Sequence, residues 1–467
     1  MSVWEPVIGL EIHVQLRTRT KMFCRCENVW GEPENVRTCP ICLAHPGALP
    51  VVNGKAIEWT IRLGAALGCT TAERAIFHRK NYFYQDLPKG YQISQYDQPL
   101  SVDGSLSLPS EDGDLDVGIV RVHLEEDAAK TIHVGGAAGR IRGAETSLVD
   151  FNRGGTPLVE IVTEPDLRSA EQAKAFLQLL RQVVVELGIS NAEMEKGSLR
   201  CDANVSIRPE GETGFRVKTE LKNMNSFSFV ARGIEAEIAR QITVYEAGGE
   251  VTQQTMHFDP QSGSLTPLRT KEEAHDYRYF PEPDLVAIEP AADLIARAVA
   301  GVGELPGRRI RRLQQEVGFG LAESLVVSGR DGLYERVVGD RRVVAKVIMN
   351  QLAGAGIEPD DIDVSELTKL IESRERIPRT TFDEALSKLG DAGFTAEPYL
   401  VQEAVSDATE LLPLIDAVLA EHPEQVEAYR GGKQGLLGFF VGEVMKATRG
   451  RADPRAVNEL VRERLDV

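Results

Sequence analysis

Apolar and polar positions alternate along this chain with two different periods, and the change from one to the other divides it. In LEIHVQL the period is two: Leu10, Ile12, Val14 and Leu16 share one face, and Glu11, His13 and Gln15 share the other. Successive side chains of an extended backbone point to opposite sides, so the segment predicts a half-buried strand. RVHLEED repeats the pattern, with Val122 and Leu124 opposite Arg121, His123 and Glu125. LRCDANVSIR is the most regular case, with Leu199, Cys201, Ala203, Val205 and Ile207 inward and Arg200, Asp202, Asn204 and Ser206 outward. FRVKTELKN sets Arg216, Lys218, Glu220 and Lys222 against Phe215, Val217, Thr219 and Leu221, which predicts an antiparallel neighbour of the preceding strand.

Elsewhere the period is helical. SAEQAKAFLQLLRQVVVELG opens on Ser169 with Gln172 three residues on, a capping box, and closes on Gly188. A second helix is expected from about Phe227 to Ala247, stopped by Gly248 and Gly249. After YFPEPDLVAIEP the aromatics thin out and amphipathic helical segments follow, separated at LPGRR and RIPRTTFDEA, with a further break around AGFTAEPYL. The expected fold class is therefore α+β. A cradle domain over residues 1–290, built on antiparallel sheet with helices, precedes an all-α helical domain over 291–398 and a small helical tail domain over 399–467.

Composition narrows the partners. A chain of 467 residues suits several cores, and its 27% charged and 42% hydrophobic content is that of a soluble globular protein. No apolar run approaches about 18 residues and no basic segment precedes the first apolar stretch, so neither a membrane span nor export is expected. The net charge of -18 excludes a general nucleic-acid coat. From Arg430 onward, however, eight basic residues face five acidic ones. That local balance suits a tail touching RNA, and equally a solvated helical face.

Four of the six cysteines form a C-x-C-x12-C-x2-C array: Cys24, Cys26, Cys39 and Cys42. Without export the compartment is reducing, which argues against disulfides, and no βαβ context supports a redox pair. Four thiolates suit a tetrahedral zinc shell, the other reading being unrelated free thiols. Cys69 and Cys201 have apolar neighbours and read as core residues.

The polar strand faces hold the remaining chemistry. Glu11 and His13 converging with Glu125 or Glu126 would make a set of hard oxygen ligands with one imidazole, suited to magnesium or manganese. Arg200, Lys218 and Lys222 would then meet phosphate oxygens. For any one strand the plainer reading is a solvated face. In HRKNYFYQDLPKGYQISQYDQPL, five aromatic residues interleave with Arg79, Lys80 and Lys89, which suits stacked bases and their phosphates or, equally, aromatic packing under a loop. There is no G-x4-G-K-[ST] loop, no G-x-G-x-x-G strand-to-helix turn and no G-x-S-x-G elbow, so a nucleotide site here would rest on a sheet.

The ordered series VIGLEIHVQL, CPICLAHPGALPVVN, RKNYFYQDLPKGYQISQYDQPL, RVHLEEDAAK, LVDFNRGGTPLVEIVTEPDL, GSLRCDANVSIRP, ELKNMNSF, HDYRYFPEPDL and GFFVGEVMKATRGRADPRAVNELV resembles the B subunit of the aspartyl/glutamyl-tRNA amidotransferase, the GatB/GatE family, nearly end to end. The resemblance implies an ATP-dependent ligase. Such an enzyme phosphorylates the side-chain carboxylate of Glu on tRNA(Gln) or Asp on tRNA(Asn), and ammonia then displaces the phosphate. It also implies a separate amidase (glutaminase) partner that supplies the ammonia, a small third partner that braces the pair, a cytoplasmic location and a YqeY-like tail contacting tRNA. Magnesium in the family sits on a histidine and two glutamates. By motif these fall on His13, Glu126 and Glu160, with Glu11 beside them. Strand parity alone would place Glu125 on the His123 face; we take Glu126, with the strand ending or bulging there, and Glu125 as second choice. Lys80, Tyr82, Asp202, Asn204, Lys218 and Glu220 fall in motifs implied to line the same cradle, with ATP among its ligands, beside the Arg200 and Lys222 already read as phosphate contacts.

The chain departs from the family at LTPLR, where Thr266 stands in place of an arginine that relatives often carry. The four cysteines are not universal in the family either, and a closed zinc shell implies a structural metal that fixes the loop after the first strand. The competing reading of the whole chain is a noncatalytic zinc-containing RNA-binding subunit.

Overall fold

The computed structural model describes residues 3–135, 143–269, 277–401, 407–448 and 450–466. They form two compact units, Met1–Arg309 and Ile310–Val467. The first extends past residue 290 because the helix Ala292–Ala300 packs on α1 (Gly54–Ala66).

In chain order the strands of the first unit are β1 (Trp4–Gln15), β2 (Thr70–Thr71), β3 (His78–Asn81), β4 (Tyr91–Ser94), β5 (Ser101–Ser110), β6 (Gly113–Glu126) and β7 (Lys130–Val134), followed by β8 (Thr146–Asp150), β9 (Pro157–Thr163), β10 (Leu199–Pro209), β11 (Thr219–Met224), β12 (Thr255–Asp259), β13 (Ser264–Arg269) and β14 (Phe280–Pro281). Among the described residues nine of them make one sheet in the order β13-β12-β11-β10-β1-β9-β6-β5-β2, beside a β14-β3-β4 sheet and a β7-β8 hairpin. The large sheet is antiparallel except at β11 and β12, which run parallel. A parallel neighbour needs a crossover, and α3 (Phe227–Glu246) supplies it.

The period-two reading of β1 holds. Leu10, Ile12, Val14 and Leu16 are essentially fully buried, as are Phe176, Leu177 and Leu180 of α2 (Ala170–Glu186) and Val230 and Ile234 of α3. The two helices pack on each other, and α3 lies on β10 and β11. Each such side chain stabilises the unit by about 1.5–3 kcal/mol, so the apolar face is committed to the core and the polar face is free for other work. Helix α2 is capped at Ser169, whose Oγ accepts the Gln172 N–H at 3.1 Å, but Gln172 reaches back to the Arg168 N–H at 2.7 Å rather than closing on Ser169.

FRVKTELKN forms a strand only from Thr219. Phe215 and Val217 are exposed because Arg216 is drawn aside, bidentate to Glu212 at 2.9 and 2.6 Å and laid over the Trp4 and Tyr245 rings.

The second unit is built of helices. Within it the helices Ala408–Glu421, Leu437–Ala447 and Pro454–Leu465 share a core around Leu411, Ile415, Phe440, Val444, Val457 and Val461. Asp407 and Asp453 cap the first and last of them through backbone N–H groups. No helix among the described residues is long and apolar enough to cross a membrane.

Candidate active site

Register gathers the reactive side chains. His13 on β1 stands opposite Arg200 of β10 and opposite Glu160 of β9, and Glu160 in turn stands opposite His123 of β6. Directly opposed residues project to the same face, so one polar face collects Glu11, His13, His123, Glu125 and Glu160. His13 Nε2 lies 3.3 Å from Glu160, 3.6 Å from Glu125 and 3.9 Å from Glu11. His123 Nε2 lies 3.6 Å from Glu160.

Crowding perturbs every member. Burial alone would lower His13, but the hydrogen bond and charge of Glu160, then Glu125 and Glu11, raise it to about 9. Burial, with the Glu160 charge next, raises Glu125 to about 7. His123 goes the other way, pushed down to about 4 by burial against the pull of Glu160, with Arg121 repelling a second proton. The cluster thus holds more carboxylate than its own cations neutralise, the condition a divalent cation relieves.

The donor set fits such an ion. One oxygen or nitrogen from each of Glu11, His13 and Glu160 lies within 4.8 Å of the others, and so do those of His123, Glu125 and Glu160. Octahedral magnesium with bonds of about 2.1 Å sets neighbouring ligands about 3.0 Å and opposite ones about 4.2 Å apart. The spacings of 3.3–3.9 Å around His13 fall between these.

Glu126 does not join the set. Strand β6 ends at Glu126 but keeps regular register with β9 through that last residue, without a bulge there, so Glu126 takes the face opposite to Glu125. There its carboxylate accepts the Ile93 N–H at 3.0 Å and pairs with Lys89. Of the two expected candidates for magnesium, this geometry brings Glu125, the second choice, beside His13, because alternation holds to the strand's last residue.

Other expected residues surround the cluster. Lys80 on β3 is held protonated, because Tyr279, Glu125 and Glu160 outweigh the burial that opposes its charge. It lies 4.9 Å from the centre of the Tyr277 ring, and the Tyr82 ring packs 6.1 Å from the same ring. Lys222 is clamped between Asp202 and Glu220, and Glu220 also accepts the Thr255 hydroxyl at 3.0 Å. Arg200 bonds Asp127 at 2.9 Å, which also accepts Gln15 Nε2 at 2.6 Å. Asn204 lies between Gly9 and Glu220 in the sheet. Lys218, exposed ahead of β11, is not brought to the cavity that Glu220 and Lys222 line.

Sequence reasoning gave no site role to Ser94, Arg121, His123 or Tyr279; Tyr279 stacks on Tyr96, one of the five interleaved aromatics, with ring centres 4.3 Å apart. Ser94 Oγ donates to Glu125 at 3.2 Å and lies 3.4 Å from His123 Nε2. The signal was present for two of them, since Arg121 and His123 share the parity of Glu125. Thr266, the departure from the family, is exposed on β13 opposite His257.

Across the first unit, the sulfurs of Cys24, Cys26, Cys39 and Cys42 lie within 4.8 Å of one another. A zinc–sulfur bond of about 2.3 Å sets a tetrahedral edge of about 3.8 Å, and Cys39 and Cys42 are 3.8 Å apart. Cys42 Sγ also accepts the Cys39 N–H at 3.1 Å. Of the other two cysteines, Cys201 is buried and Cys69 half-buried.

A sheet that pools carboxylates and imidazoles on one polar face beside half-buried lysines defines a class, and comparison agrees: the chain belongs to the GatB/GatE family. The model for the GatB/GatE catalytic domain matches residues 6–296, and that for the GatB domain matches residues 337–465. Among curated relatives, the aspartyl/glutamyl-tRNA(Asn/Gln) amidotransferase B subunit of Persephonella marina is 44% identical, covering 99% of both chains. Those of Moorella thermoacetica and Geotalea uraniireducens are each 46% identical over 99% of this chain, covering 100% and 99% of the relative.

Proposed function

We infer that this chain is the ATP-dependent, amide-forming subunit of a tRNA-dependent amidotransferase. It phosphorylates the side-chain carboxylate of Glu-tRNA(Gln), Asp-tRNA(Asn) or both, and ammonia displaces the phosphate to give the amide. The observation that carries this reading is the convergence of Glu11, His13, Glu125 and Glu160 beside Lys80 and Lys222.

A carboxylate resists attack by ammonia, whereas an acyl phosphate offers a good leaving group, so the site must handle phosphoryl charge. Magnesium on His13, Glu125 and Glu160, with Glu11 beside them, would neutralise phosphate oxygens during transfer. Lys80 faces the same cavity with its proton retained. Lys222, braced by Asp202 and Glu220, meets phosphate from a fixed position, so little ordering is left for the moment of reaction. Glutamine hydrolysis belongs to a separate amidase (glutaminase) partner, a small third partner completes the assembly, and zinc on the four cysteines is structural. The tail over residues 399–467 contacts the body of the tRNA, and the complex works in the cytoplasm.

A noncatalytic RNA-binding protein would have no use for three carboxylates crowded on two imidazoles. The test is reconstitution with the partner subunits. ATP, magnesium and mischarged tRNA should yield ADP and amidated tRNA, and a His13→Ala assembly should yield neither while still hydrolysing some glutamine. No ADP above background from the unaltered assembly would overturn the reading.

A further inference from the structure

A cavity of about 1010 Å³ is lined by Asp202, whose ion-pair partner Lys222 lines the cavity of the candidate metal cluster. One wall of the 1010 Å³ cavity is the stretch between the two cysteine pairs. That stretch is pinned along its length: Asn28 Nδ2 donates to the Leu16 carbonyl at 3.0 Å, the Asn35 N–H to Asp150 at 3.0 Å, Asn152 Nδ2 to the Pro33 carbonyl at 2.7 Å, and the Arg37 N–H to Asn152 at 2.8 Å. On this fixed backbone, next to Gly31 at φ 82°, the Trp30 side chain lines the cavity and remains 65% exposed. A loop held this firmly that still leaves an indole in water is built as a contact surface.

We propose that this cavity receives the unpaired 3′-terminal nucleotides of the aminoacylated RNA, with Trp30 stacking on a base, and that the cysteine knuckle serves to hold that ring. The assignment rests on the amidotransferase reading and adds the residues that grip one of its two substrates. Two nucleotide-bearing substrates must meet at the cluster, and two cavities flank it. The smaller, about 250 Å³, contains Glu11 and Glu160 of the candidate metal cluster with His123, and its Lys80, Arg121 and Lys222 balance Glu11, Glu160 and Glu220, so a cation at the cluster would leave it net positive, which suits a triphosphate. The larger has no such ligand set among the described residues, and its Lys130, Arg153, Lys196 and Arg200 are outnumbered by Glu32, Glu34, Asp150, Glu195 and Asp202. Walls without net positive charge hold a polyphosphate poorly, whereas stacking does not depend on net charge. Exposed Asn223 and Asn225 add amide groups for a base or ribose, and Arg200 and Asp202 carry the path from this cavity to His13 and Glu11, their partners in the sheet.

The experiment uses the full assembly with its partner subunits. Trp30→Ala should raise the KM for mischarged tRNA on the order of ten-fold or more, leave the KM for ATP and the glutaminase rate unchanged, and be largely rescued by Trp30→Phe. A readout independent of catalysis is the affinity for a tRNA acceptor minihelix with and without its unpaired 3′ end. The unaltered assembly should discriminate between the two, and Trp30→Ala should not. An unchanged tRNA KM, a rise in the ATP KM instead, equal weakening for both minihelices, or loss of assembly with the partner subunits would each overturn the proposal. Should the unaltered assembly form no ADP, the amidotransferase reading fails, while the minihelix comparison still decides the fate of the cavity.

Discussion

Arg121 Nε donates to His123 Nδ1 at 3.3 Å, and this contact fixes the proton of the neutral imidazole on Nε2, which faces Glu160 and Ser94. The pair orients Glu160, a carboxylate of the proposed metal cluster, through a ring whose two nitrogens are engaged by Arg121 and Glu160. His123→Ala should therefore weaken manganese or magnesium binding by about 10–100-fold, the usual cost of losing a residue that orients a metal ligand. Titration of manganese by electron paramagnetic resonance would measure it, and an affinity equal to that of the unaltered protein would remove His123 from this role.

Glu125 and Glu126 separate by face. Glu125→Gln should lower metal affinity by at least about 100-fold and abolish ADP formation, since in the proposed site it removes a direct ligand. Glu126→Gln should leave metal affinity within about two-fold, because its partners are Lys89 and the Ile93 N–H. The same metal titration applied to both variants distinguishes them, and the reverse order of effects would return the ligand to Glu126.

Four thiolates fill a tetrahedral shell and leave no open position for water. Elemental analysis of reduced protein is expected to find about one zinc per chain. Cys39→Ser should loosen residues 24–42, read as faster amide exchange there, with little change at β1 and β9. Absence of zinc from carefully reduced protein would defeat even the structural role.

In the second unit Glu366 accepts the Ala396 N–H at 2.7 Å and Lys369 Nζ at 2.8 Å. The Ala396 bond first, then Lys369, holds its carboxyl below the usual value. A depressed carboxyl contributes stability that is present above the unfolded value and is lost as pH falls through the folded one. Glu366→Gln should cost about 0.5–1 kcal/mol near pH 7 by weakening the Ala396 and Lys369 bonds, and the difference should shrink as pH falls from neutrality through the range below the usual glutamate value. Urea melts across that range measure it, and a pH-independent cost would mean that charge plays no part.

Deleting residues 399–467 removes the helical core around Leu411, Phe440 and Val461 as a whole. The deletion should reduce use of full tRNA more than use of a minimal acceptor stem, measured as kcat/KM for each. Equal losses on both would count against the tail as an RNA contact.

Much of the site was legible in local pattern. Alternation in β1, β6 and β10 assigns Glu11, His13, His123, Glu125, Arg200 and Asp202 to polar faces, because successive side chains of a strand must oppose one another. At Glu125 it agrees with the placement beside His13, whereas following the motif favoured Glu126. Alternation misled only at Phe215 and Val217, where the contacts of Arg216 with Glu212, Trp4 and Tyr245 prevail over a local preference for strand.

By itself the sequence determined which faces are polar, that α2 begins after Ser169 and α3 near Phe227, and that four thiols lie close enough along the chain to share a metal. These follow from interactions within a few residues. Tertiary structure alone decided that β9 lies between β1 and β6, so that Glu160 meets both His13 and His123, and that Asp202 and Glu220 clamp Lys222 across a strand boundary. Strand order and register are set by packing between segments far apart in the chain, and no local period encodes which strand becomes the neighbour of which.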